Sequence, residues 1–154
     1  MEINEMKAPH VKNLLGIVFV GFAIATHGLA YAGQKCTQKS FKGSYGFSQL
    51  GSFVGLAPTP VPAAAVGVFS LDGKGNMNGS EVVSVGGQFF SSTFVGTYEV
   101  RANCTGTASW IAVFSNGAES RTQTAELVAA DDDKTIHILS TDPGAVLVGT
   151  ARKQ

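Results

Sequence analysis

The sequence predicts an all-β fold, a small antiparallel up-and-down barrel of about eight strands preceded by a signal peptide. Three observations predict the barrel. Apolar and aromatic residues recur with period two in short runs, and clusters such as Asp72-Gly73, Gly86-Gly87 and Asn116-Gly117 separate those runs at regular spacing. No window carries an apolar stripe at helical period; Ala125 to Ala130 is too short to outweigh its Thr-rich lead-in. Consecutive hairpins without a long crossover favour a barrel over a Greek-key sandwich, and closure removes exposed sheet edges.

The elements follow in order. Ser44 to Leu50 alternates large and small residues, and 64–71 is an apolar run ending at Asp72-Gly73-Lys74-Gly75, where glycine supplies positive φ. Met77 to Val85 stops at Gly86-Gly87. Phe89 to Val100 is the longest run, with Phe94, Gly96, Tyr98 and Val100 on one face; Gly96 within it predicts a bend or bulge. Thr107 to Phe114 alternates Ala108, Trp110, Ala112 and Phe114. Arg121 to Val128, Thr135 to Leu139 and Ala145 to Ala151 complete the set. Prolines at 58, 60 and 62 hold their segment extended and block strand pairing there, as a rigid surface loop or a flap over one barrel mouth.

The first 32 residues read as a targeting segment. Lys7, His10 and Lys12 make a mildly basic start, diluted by Glu2 and Glu5, and an apolar run follows from Leu14 to Ala25. Ala30-Tyr31-Ala32 places small residues where a signal peptidase reads, so cleavage is expected before Gly33. As a helix that apolar run rises only ~18 Å, short of the ~30 Å core that a membrane anchor must cross. The expected mature domain is residues 33–154, exported to the periplasm or beyond the cell.

Removing Lys7 and Lys12, and Glu2 and Glu5, from the 11 cationic and 11 acidic residues leaves nine of each sign, a neutral domain. Neutrality speaks against nucleic acid as a partner, since phosphate recognition needs a basic surface. Low charge with positive mean hydropathy predicts apolar surface that a ligand, an envelope surface or a second copy of the chain covers. Cys36 and Cys104 are expected to form one disulfide. Neither a C-x-x-C spacing nor nearby His ligands supports a redox or metal role, and no cofactor fingerprint is present.

Gly96-Thr97-Tyr98-Glu99-Val100 followed by Asn103-Cys104-Thr105-Gly106-Thr107 resembles a recurring segment of small exported bacterial proteins of unknown function. Asp72 to Gly75 and Thr141-Asp142-Pro143-Gly144 resemble two of their turn signatures, so the likeness spans about Phe41 to Gln154. More distantly, the layout is similar to calycin-like barrels, including the allene oxide cyclase and dirigent group. That resemblance implies binding of, or action on, apolar small molecules, and trimers in some members. None of that group's functional residues maps onto this chain.

Tyr45, Phe47, Phe94, Tyr98, Trp110 and Phe114 fall on alternating strand positions and can share one interior. An eight-stranded barrel is just wide enough to be filled by side chains or to hold one small ligand. The ligand-binding candidates are Phe47, Tyr98, Trp110 and Phe114. Two further readings stand beside non-catalytic binding. One is a structural or interaction protein of the cell envelope that associates through its outer strands. The other is a cyclase- or isomerase-like barrel enzyme with His137 or Glu99 as the polar group, which requires one of them to face a cavity. Of the mid-strand charges Glu81, Glu99, Arg101 and Arg121, Glu99 and Arg101 share the face opposite Tyr98 and are expected in solvent. Asp131-Asp132-Asp133 lacks the spaced ligands of a calcium loop and reads as a solvated hairpin tip.

Overall fold

Alternation and turn chemistry produce an eight-stranded closed antiparallel barrel in the computed structural model, which describes residues 35–131 and 134–154. The expected leader and its cut before Gly33 lie outside the described residues, as do Asp132 and Asp133. The strands are β1 (Gly43–Phe53), β2 (Val61–Leu71), β3 (Asn76–Val85), β4 (Gln88–Val100), β5 (Thr105–Phe114), β6 (Gln123–Ala130), β7 (Thr135–Ser140) and β8 (Ala145–Lys153). Each pairs with the next, and β8 returns to β1 from Tyr45↔Lys153 to Phe53↔Ala145. The ladder therefore has no free edge.

Two expectations are corrected. Pairing in β2 begins at Val61, so Pro62 does not block it: Pro62 faces Ser52, and its carbonyl accepts from Gly86 N at 2.8 Å. Proline is tolerated at the start of a strand, where its missing N–H removes little of the ladder. Gly96 carries no bulge, since the β4–β5 register runs unbroken from Ser92↔Phe114 to Val100↔Gly106.

What Gly96 provides is room. A Cβ there would lie 2.7 Å from the Cα and Cβ of Trp110, its cross-strand partner. The same pairing of a large inward side chain with an inward glycine recurs at Phe47↔Gly67 and Phe94↔Gly79, and Gln49 lies over Gly149. Bare backbone beneath each large side chain lets a tightly curved wall accept it. Phe47, Phe69, Phe94 and Trp110 then form a chain of ring contacts with centroids 5.7 to 6.4 Å apart.

The two ends of the barrel differ. At one end residues 36–41 fold across the opening. The disulfide Cys36–Cys104 anchors them, Phe41 is fully buried, and Tyr45 donates to the Phe41 carbonyl at 3.0 Å. Tyr98 Oη accepts from Gly73 N at 2.9 Å and donates to the Gln38 carbonyl at 3.2 Å. Gly73 meets this geometry at a φ of 78°, as the turn reading expects. The opposite end is ringed by the connections 54–60, 86–87, 115–122 and 141–144 and has no such cover among the described residues.

The outer face is unusually apolar for its charge. Leu139, Val148, Leu50 and Ala64 stand side by side across β7, β8, β1 and β2, with Leu50 66% and Val148 56% exposed. Val66 and Val82 face each other one step away.

Candidate functional site

The site begins with alternation along β3. Met77, Gly79, Glu81, Val83 and Val85 fall on the inward set, so strand geometry carries the carboxyl of Glu81 into the barrel. Its direct partner on β4 is Ser92, also inward and buried, whose Oγ donates to Glu81 Oε1 at 3.1 Å. Burial pushes the Glu81 carboxyl above the usual carboxylate range, and the Ser92 hydrogen bond offsets part of that.

Glu81 borders both the interior cavity and the mouth. Below it, among Phe47, Gln49, Phe69, Phe94, Tyr98 and Trp110, lies an interior cavity of about 40 Å³. That volume admits roughly three waters and no drug-sized molecule. Above it the uncovered end opens into a mouth of about 400 Å³ lined by Phe53, Val83, Val85, Phe89, Phe90, Phe114 and Gln123, with Ser115 and Asn116 on the rim. The volume lies within the range of ligand sites, about 300 to 1,000 Å³. Phe90 and Phe114 meet edge to face at 6.2 Å, while Phe89 is 76% exposed. Among the described residues, Glu81 is the one ionisable side chain lining the mouth.

The four residues singled out from the sequence divide between these spaces. Phe47, Tyr98 and Trp110 come together around the interior cavity, whereas Phe114 belongs to the mouth. Tyr98 sits toward the covered end with its hydroxyl committed to Gly73 and Gln38, and burial raises its pKa. Trp110 connects the levels, because its β6 partner is Gln123, a mouth residue. Phe53 and Phe90 are not singled out by the sequence, and Glu81 is named there only as a mid-strand charge. Glu81 carried a usable signal: Asn78, Ser80 and Ser84 occupy the opposite face of the same run, which leaves Glu81 on the apolar one.

His137 and Glu99 both face solvent. Neither reaches the barrel interior, where the enzyme reading asked one of them to stand. Arg101 is exposed beside Glu126, with which it pairs at 3.1 Å. The proline-bearing connection does not line the mouth; Val54 N donates to the Gly144 carbonyl at 2.7 Å, drawing its start toward the β7–β8 turn. Among the described residues, no group of three or more His, Cys, Asp or Glu is placed to hold a metal ion.

No family model matches the sequence, and no curated protein does. A solved structure of a de novo designed fluorescence-activating β-barrel matches at a TM-score of 0.48 and 14% identity, covering 76% of this chain and 96% of that chain.

Proposed function

We propose that the protein binds a small apolar molecule in the barrel mouth without transforming it. The carrying observation is the uncovered, phenylalanine-walled opening of about 400 Å³ at one end of a barrel sealed at the other. Exposed aromatics gathered around a concavity are what a ligand covers. Phe114 and Phe90 form the wall in this reading, with Phe47 and Trp110 beneath the floor. Tyr98 serves by holding the sealed end in place. Export to an oxidising compartment, periplasmic or extracellular, belongs to the same reading and is supported by the Cys36–Cys104 bridge.

Trp110, the chain's single tryptophan, provides the test. Titrating terpenoids and neutral aromatics should shift its emission saturably, and Phe90→Ser or Phe114→Ala should weaken binding about tenfold, the order expected for losing one well-buried aromatic contact. Emission that ignores the whole panel would contradict the proposal.

A second reading rests on the stripe Leu139, Val148 and Leu50: a structural or interaction protein whose copies associate through the outer strands. Light scattering at micromolar concentration should then report an assembly that Leu50→Lys with Val148→Lys dissolves. A clean monomer of the unaltered protein would remove it.

A further inference from the structure

We propose that the mouth selects organic ammonium ions: the ligand is an apolar body seated among Phe53, Phe90 and Phe114 that carries a protonated nitrogen to the carboxylate of Glu81. This rests on the mouth being the binding site and adds the chemical class it accepts.

Charge makes the first case. Glu81 is the one ionisable group in the lining among the described residues, and nothing packed against it offsets its charge. Its inward neighbours across β2 and β4 are Gly67 and Ser92, and the next residue on its own face is Val83. The charged residues of the surrounding connections are engaged elsewhere or lie outside the lining. Arg121 Nη2 donates to the Pro143 carbonyl at 3.0 Å, Asp142 Oδ1 accepts from Thr124 N at 3.0 Å, and exposed Glu119 does not reach the mouth. A fatty acid entering here would bring one carboxylate against another with no cation between them, an arrangement that raises the free energy of both.

Hydrogen bonding makes the second. Ser92 donates to Oε1, and no second donor from the described residues reaches the carboxylate. A half-buried carboxylate with a single protein donor is well matched by a donor that is itself charged. The phenyl rings add to the preference, because aromatic faces attract cations, most strongly where water is excluded. Burial opposes the ionised form of Glu81, and an ammonium ion reverses that opposition, so binding is linked to proton release from the carboxyl.

The test uses three ligands that share a phenyl group on four methylenes and differ in their head group: 4-phenylbutylamine, 4-phenylbutanol and 5-phenylpentanoate, titrated at pH 7 by Trp110 emission and calorimetry. The expected order is ammonium, then alcohol, then carboxylate, with the ammonium about tenfold tighter than the alcohol. Glu81→Gln should abolish that gap while alcohol binding persists. In the unaltered protein the gap should also close as pH falls through the Glu81 transition, a readout that needs no variant. Equal affinity for all three ligands would overturn the charge selection and leave the mouth as a general apolar site. Tightest binding of the carboxylate would overturn it as well. Failure of all three to bind would remove the mouth reading itself, and the selection with it.

Discussion

Reducing the Cys36–Cys104 bridge should lower the melting temperature strongly while leaving the native barrel intact. The bond closes a loop of 68 residues. Chain-entropy reasoning assigns such a closure about 4 kcal/mol at 25 °C, exerted on the unfolded chain. An unfolding entropy near 2.1 cal/mol/K per residue over roughly 120 residues converts this into a drop of about 16 °C. The native state has reason to survive reduction. Cys36 N still donates to the Ala102 carbonyl at 3.2 Å, Gln38 Nε2 to the Tyr98 carbonyl at 3.1 Å, and Phe41 stays buried beneath. The assay is a pair of thermal melts with and without reductant, repeated on Cys36→Ser with Cys104→Ser, with near-ultraviolet circular dichroism at 25 °C as the control. Melting temperatures that agree with and without the bond would refute the reasoning. Loss of the near-ultraviolet signal on reduction at 25 °C would refute it differently, by showing that the bond holds the folded barrel together.

Gly79→Ala should destabilise by several kcal/mol, at or beyond the usual ~1–3 kcal/mol of overpacking. The new Cβ would fall 2.4 Å from both the Phe94 ring and the Val68 carbonyl, and backbone cannot move aside as a flexible side chain can; urea unfolding measures the loss. Glu81 makes stability depend on pH with a definite sign. Its folded pKa lies above the unfolded value of 4.5, so its contribution is full below that value and is lost as pH rises through the folded transition. The urea midpoint should therefore fall over that window in the unaltered protein and stay level in Glu81→Gln. Asp72 has the opposite sign. Hydrogen bonds from the Asn76 side chain and the Lys74 and Asn76 amides hold it at about 2, so the turn it organises should loosen as pH falls from 3.8 through about 2. Hydrogen exchange of the Lys74 amide across that range checks this, and Asp72→Asn should remove the dependence.

Most of the barrel was legible because period-two alternation and glycine turns are local signals. The eight runs read from the sequence correspond to the eight strands, with ends displaced by no more than a few residues. The start of β2 was hidden by Pro62, whose general cost to a ladder is small at a strand's beginning. The site was less legible, for a different reason. Alternation reports which face a side chain takes and says nothing of its height along the barrel. Phe114 and Tyr98 both point inward, yet Phe114 pairs with Ser92 near the mouth while Tyr98 pairs with Ala108 near the covered end. Height follows from register, which the whole circuit of hairpins determines. Glu81 is named in the sequence only as a mid-strand charge, although its own run places it opposite the polar set.

Native mass spectrometry of the protein, purified gently from the cells that make it, tests ligand binding most directly. Binding in the mouth predicts a mass above that of the chain, with one small, releasable molecule per barrel that Phe90→Ser with Phe114→Ala fails to retain. Chains recovered empty, and still empty after exposure to the apolar panel, would contradict it.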